Sequence, residues 1–120
     1  MAKILVVDDI DYLRKSLVTI LNHEGHKVME APNGKEAEII IRSNPPDILI
    51  VDVVMPEKGG VELLIDLKKE LRSIKTIVMS GRVTGETEAF NNLITQYGAR
   101  HFLLKPFHKK ELLAAVNDLL

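Results

Sequence analysis

The chain is expected to fold as a doubly wound α/β domain, a five-stranded parallel sheet with helices on both faces, and three observations carry this. Short apolar runs rich in β-branched residues recur along the sequence, with amphipathic helical patterns between them. The runs are continuous rather than alternating, which suits strands covered on both faces. At 120 residues the chain is too short for a closed eight-stranded α/β barrel. Right-handed crossovers then leave an open sheet, and one domain spanning residues 1–120 accounts for the length.

The first strand is Ile4-Leu5-Val6-Val7. Leu13, Leu17, Ile20 and Leu21 repeat at helical spacing after it, and Gly25 supplies a C-terminal stop. The second strand is the weaker run Lys27-Val28-Met29-Glu30-Ala31. A second helix, marked by Ala37, Ile40 and Ile41, opens after the turn-forming Asn33-Gly34 and closes before Asn44-Pro45-Pro46, which cannot continue it. Ile48-Leu49-Ile50-Val51 is the third strand, followed by a helix on Val61, Leu64, Ile65, Leu67 and Leu71. Thr76-Ile77-Val78-Met79 is the fourth strand; the helix after it is read from Phe90, Leu93, Ile94 and Tyr97 and stops at Gly98. His101-Phe102-Leu103-Leu104 is the fifth strand, and Leu112, Leu113, Val116, Leu119 and Leu120 mark the fifth helix.

Composition narrows the function. Sixteen Lys and Arg stand against 17 Asp and Glu, for a net charge of −1, with no long basic block; direct binding of nucleic acid or of an anionic membrane is not expected. The absence of cysteine excludes disulfides, thiolate catalysis and cysteine-held metals. No run is long enough for a signal peptide or a membrane span, so a cytoplasmic location is expected.

In an open α/β sheet the ligand crevice lies outside the carboxyl ends of the strands. Asp8 and Asp9 follow the first strand there, and Asp52 follows the third. Three carboxylates about 5 Å apart, at an effective dielectric near 20, repel by roughly 3 kcal/mol per pair, so the cluster calls for a cation or for raised pKa values. Without cysteine, a hard divalent ion is indicated, and Mg2+ suits best because it takes one or two carboxylates together with water and phosphate oxygens. Ser80 and Lys105 end the fourth and fifth strands, adding a hydroxyl and a cation to the same sheet edge. The plainer alternatives are that Asp9 or Asp11 caps the first helix and that Lys105-Pro106 is an ordinary helix start. Pro106 also makes the Lys105-Pro106 bond a candidate for the cis form.

These motifs, Ile4-Leu5-Val6-Val7-Asp8-Asp9, Asp52-Val53-Val54-Met55-Pro56 with Gly60 beyond, Ser80-Gly81 and Lys105-Pro106-Phe107, resemble those of response-regulator receiver domains, the phosphoacceptor modules of two-component signalling, along the whole chain. The resemblance implies a flavodoxin-like sheet of order 2-1-3-4-5. It implies that Asp52 accepts a phosphoryl group from a histidine kinase or phosphotransfer protein. Asp9, Asp52 and the Val54 backbone carbonyl would hold Mg2+, with Mn2+ as an alternative and Asp8 acting through water. Lys105 would pair with Asp52 and then with the phosphoryl oxygens. Ser80 and Phe102 would form the switch that remodels the surface of helix four, strand five and helix five for a downstream partner, an output domain outside this chain, or a phosphorylation-dependent homodimer. For Phe102 the plainer alternative is a half-buried strand residue. Self-phosphotransfer and autodephosphorylation are the expected chemistry, with no turnover of external substrates.

Some positions depart from the family pattern. Val54 is apolar where many relatives are polar and cannot orient a water, whereas Arg82 could shield the phosphoryl group, so a comparatively long-lived acyl phosphate is expected. The stretch from Ser80 to Lys105, which carries Gly85, is a few residues longer than the family's common spacing. Other functions fit less well. A flavin carrier would need a donor-rich loop where Asp8-Asp9-Ile10-Asp11 stands, and an aspartyl phosphatase would need an acid at Val54. The nearer alternative is a receiver-like adaptor that binds partners without phosphorylation. His23, His26, His101 and His108 lack consistent ligand spacing, Gly59, Gly60 and Gly81 do not form a phosphate-cradling loop, and Lys68, Lys69, Lys109 and Lys110 read as solvated helix faces.

Overall fold

The computed structural model describes residues 1–53, 60–67, 73–81, 95–96 and 98–120. Its strands are β1 (Lys3–Val7), β2 (Lys27–Ala31), β3 (Ile48–Asp52), β4 (Lys75–Ser80) and β5 (Ala99–Leu104). All pair in parallel, in the order β2-β1-β3-β4-β5. The five expected strands are present, each within two residues of its expected limits.

Four helices are described: α1 (Asp11–His23), α2 (Gly34–Ser43), α3 (Gly60–Asp66) and a last helix, Lys109–Asp118. Phe90, Leu93, Ile94 and Tyr97, the markers of the expected fourth helix, lie outside the described residues, as does Leu71. The expected stop at Gly98 is met, with φ of 103° and an N–H donated to the Thr95 carbonyl at 3.0 Å. Gly25, with φ of 88°, ends α1 in the same left-handed conformation. Asn33 caps α2, its side chain accepting the Glu36 N–H at 2.9 Å.

Two corrections concern helix starts. The N-cap of α1 is Ile10, without a side-chain cap, so neither Asp9 nor Asp11 fills that position. Pro106 lies outside the last helix, whose N-cap is His108.

Alternation along each strand divides the core in two. Ile4, Val6, Ile48, Ile50, Ile77 and Met79 pack with Leu17 and Leu21 of α1 and with Leu112 and Val116 of the last helix. Leu5, Val7, Leu49, Val51 and Val78 face the other way, onto Ala37 and Ile41 of α2, Leu63 and Leu64 of α3, and Leu67 just past its end. Every strand of the sheet centre is therefore apolar on both sides, which is why the sequence shows continuous runs.

The β4 to β5 ladder slips between Thr76, paired with Ala99, and Ile77, paired with His101, leaving Arg100 as the extra, exposed residue of a bulge. Thr76 is fully buried beside it, and among the described residues its Oγ1 is the buried side-chain atom that has no hydrogen-bond partner. An unpaired buried hydroxyl costs about 1 kcal/mol or more, so Thr76→Val, of nearly the same shape, should raise the stability by about 1 kcal/mol. Urea denaturation checks this; a midpoint at or below that of the unaltered chain would refute it.

Candidate functional site

Parallel pairing carries the carboxyl ends of β1, β3, β4 and β5 to one edge, and the polar residues of interest stand there. Asp8 follows β1 and Asp52 ends β3; both are buried, while Asp9 is exposed. Oxygens of the Asp8, Asp9 and Asp52 carboxylates lie within 4.8 Å of one another. Lys105, following β5, donates from Nζ to Asp8 Oδ2 at 2.8 Å and to Asp52 Oδ2 at 2.6 Å. Its backbone N–H donates to the Ser80 carbonyl at 2.7 Å, tying the ends of β5 and β4 together. The Lys105–Pro106 peptide bond is cis.

Burial is the largest influence on Lys105 and works against its charge. The hydrogen bonds to Asp52 and Asp8, helped by their charges, outweigh it and hold the ammonium above the usual lysine pKa. Three carboxylates against one ammonium still leave two negative charges, and the donors are all hard oxygens. That combination fits a divalent cation of the Mg2+ type.

Ser80 ends β4 half-buried, its hydroxyl donating to the Gly81 carbonyl at 2.9 Å. Phe102, opposite Val78 in the ladder, is 41% exposed, more open than the half-buried strand residue of the plainer alternative. Val54, Arg82, Gly85, Gly59, Lys68 and Lys69 lie outside the described residues. Gly60 has a specific reason to be glycine: a Cβ there would strike the Asp52 carbonyl oxygen. The histidines stay away from the carboxylate cluster; His26 Nδ1 accepts the Ala2 N–H and His101 Nε2 pairs with Asp118 at 2.7 Å.

Sequence reasoning missed Arg14. Leu13 is only half-buried, whereas Arg14 joins Leu17 and Leu21 on the buried stripe of α1. Its guanidinium donates to the Asp8 carbonyl oxygen at 2.8 Å, to Glu30 Oε1 at 2.8 Å and to Asp11 Oδ1 at 2.7 Å. Burial opposes the charge here too, and the bonds to Glu30 and Asp11 overcome it, raising the Arg14 pKa. Glu30 is held below the usual carboxylate range by Lys15 and Arg14. The available signal was the spacing of 14, 17 and 21, which places an arginine on an apolar stripe.

Alongside α1, a groove of about 340 Å3 has Asp8, Lys105, Leu13, Leu17, Phe107 and Leu112 among its walls. Among the described residues no helix is long and apolar enough to cross a membrane.

The family model for the response regulator receiver domain matches residues 4–117. The chain is 33% identical to protein PilH of Pseudomonas aeruginosa, covering 100% of this chain and 98% of that protein. It is 37% identical to the probable transcriptional regulator ycf27 of Porphyra purpurea over 98% of this chain but 47% of that one. The chain thus spans about half the length of some curated relatives and nearly all of another. The solved chemotaxis protein CheY4 of Vibrio cholerae superposes with a TM-score of 0.88 at 27% identity, covering 100% of this chain and 99% of that one.

Proposed function

The chain belongs to the response regulator receiver domain family, and on that premise we propose that it is a phosphoacceptor, with Asp52 taking a phosphoryl group from a histidine kinase or phosphotransfer protein. The observation that carries this reading is Lys105 bridging Asp8 and Asp52, with Asp9 beside them, at the carboxyl edge of the sheet.

In the proposed reaction an Asp52 carboxylate oxygen forms a bond to phosphorus as the donor's P–N bond breaks, and the imidazole leaves with the electron pair. An acyl phosphate results. The carboxylate sits on the end of a central strand, so it is positioned by the sheet and not by a loop. Lys105 lies 2.6 Å from Asp52 and can turn its donors to the arriving phosphoryl oxygens without crossing open solvent. Asp9 and Asp52 are the residues that would hold Mg2+, with Asp8 through water; the Val54 carbonyl assigned to the same role lies outside the described residues. When bound, the ion supplies charge neutralisation for the phosphoryl oxygens.

Ser80, at the end of the neighbouring strand, would then receive a hydrogen bond partner in the phosphoryl group. Phe102 on the outward side of β5 would move inward with it, biasing an existing equilibrium of the surface around the last strand and helix. A downstream protein, an output domain or a second copy would read that surface; the reading involves no nucleic acid contact, no turnover of external substrates, and a cytoplasmic setting. The groove along α1, lined in part by Asp8 and Lys105, would offer a donor protein an apolar seat.

Intact-mass spectrometry after incubation with acetyl phosphate and Mg2+ tests the proposal. One phosphoryl adduct of about 80 Da is expected, absent from Asp52→Asn and from a metal-chelated sample. An unmodified chain under a quench fast enough to trap an acyl phosphate would instead favour an adaptor that works without phosphorylation.

A further inference from the structure

Arg14 stands outside the roles assigned to the acidic edge, yet it holds a group at the centre of it. Each polar group of Asp8 has a partner. Its N–H donates to the Ala31 carbonyl at 3.2 Å, its Oδ1 accepts the Ile10 N–H at 3.0 Å, its Oδ2 accepts Lys105, and its carbonyl oxygen accepts Arg14 Nη1 at 2.8 Å. The last of these fixes the plane of the Asp8–Asp9 peptide, and that peptide places the exposed Asp9 carboxylate relative to Asp8 and Asp52. Without Arg14 the buried carbonyl loses its partner and the peptide gains freedom to rotate.

Arg14 is itself held in place. Glu30 on β2 and Asp11 in the first turn of α1 take its other donors, and Lys15 shares Glu30 at 2.9 Å. The planar guanidinium can serve three acceptors in fixed directions at once, which an ammonium on a flexible stem cannot reproduce.

We infer that Arg14 is a positioning residue for the acidic site, setting the orientation of Asp9 for divalent-cation binding through the Asp8 carbonyl while Glu30 and Asp11 lock its guanidinium. The inference rests on the cation site proposed for Asp8, Asp9 and Asp52. Its signature is a reversal of the simple charge effect. Deleting a nearby positive charge should tighten cation binding by Coulomb's law, whereas loss of positioning weakens it.

Mn2+ is the probe, titrated into the full chain without phosphodonor and followed by the electron paramagnetic resonance of the free ion. Arg14→Met is expected to weaken the apparent Kd by about tenfold, the scale of losses on removing an outer partner of a metal ligand. Arg14→Lys, which keeps the charge but not the fork, should weaken it as well and decides the matter if Arg14→Met does not fold. Leu21→Ala, on the same helix and fully buried, should lower thermal stability while leaving Mn2+ affinity unchanged. Affinity that is unchanged or tighter in the Arg14 variants, or an equal loss in Leu21→Ala, overturns the inference. Wild-type uptake of Mn2+ that Asp9→Asn abolishes establishes the site independently; a wild-type chain that takes up none overturns the cation site and the role of Arg14 with it.

Discussion

Lys105→Met should cost the metal-free protein about 2 kcal/mol at pH 7 and slow phosphorylation of Asp52 by about 10²-fold. The stability loss follows from what the substitution leaves behind. Asp8 is wholly buried and Asp52 nearly so, and their carboxylates both lean on one ammonium at 2.8 and 2.6 Å. Removing one partner of a buried charge pair ordinarily costs about 3–5 kcal/mol, and the 16% exposure of the Lys105 side chain lowers that figure by admitting some solvent.

The pH dependence has a definite sign. The Lys105 pKa is raised: burial, the largest influence, lowers it, but the hydrogen bonds to Asp52 and Asp8 and their charges prevail. A group with a raised folded-state pKa contributes its stability in full below the unfolded value and loses it as pH rises through the folded value. The contribution is therefore complete at pH 7, and the gap between the two proteins should close only above the ordinary lysine value of 10.5. Saturating Mg2+ should recover part of the loss in Lys105→Met, since a bound cation replaces the missing charge. Thermal melts with and without the ion check both statements. A metal-free variant as stable as the wild type at pH 7 would mean that the carboxylates do not depend on Lys105.

The strands were the most legible part of the sequence because burial on both faces writes itself as an unbroken apolar run, as in Ile48-Leu49-Ile50-Val51. The start of β5 was the least legible. Its pairing begins at Ala99 and passes over Arg100 in a bulge, and a bulge leaves no hydrophobic period to read. Asp8, Asp52, Ser80 and Lys105 could be found because each ends or directly follows a strand, and strand ends share an edge in a parallel sheet. That they would converge within hydrogen-bonding reach required the strand order, which came from the family resemblance and not from the alternation of elements. Asp9 and Asp11, the plainer alternatives for the cap of α1, are good capping types, but the N-cap position falls on Ile10 between them. Arg14 was overlooked for the opposite reason: a charged residue reads as solvent-facing until its partners Glu30 and the Asp8 carbonyl are known.

Gly60→Ala is expected to displace the acceptor itself. A Cβ at this position would overlap the Asp52 carbonyl oxygen and lie 2.9 Å from the Val53 Cα and 3.0 Å from the Asp52 carbonyl carbon. All three are backbone atoms, and none can step aside by changing a rotamer. The Val53 N–H is bonded to the Met79 carbonyl at 3.0 Å, and the Gly60 N–H to the Val53 carbonyl at 3.1 Å. Relief therefore requires moving the end of β3 or lifting α3, whose Leu63 and Leu64 are fully buried. Such overpacking costs about 3 kcal/mol, of which the better helix propensity of alanine returns at most about 1 kcal/mol. The net destabilisation should be about 2 kcal/mol. Phosphorylation should fall further than stability implies, because a shift of about 1 Å in a reacting group can cost on the order of 10²-fold in rate. Gly81→Ala is the matched control: a Cβ there meets nothing within 4 Å, although the residue adjoins Ser80 at the same edge. If Gly60→Ala and Gly81→Ala melt together and accept phosphate at equal rates, α3 accommodates the methyl group and the glycine serves only the turn. If Gly60→Ala alone loses both, the close approach of α3 to the Asp52 backbone is what sets the acceptor in place.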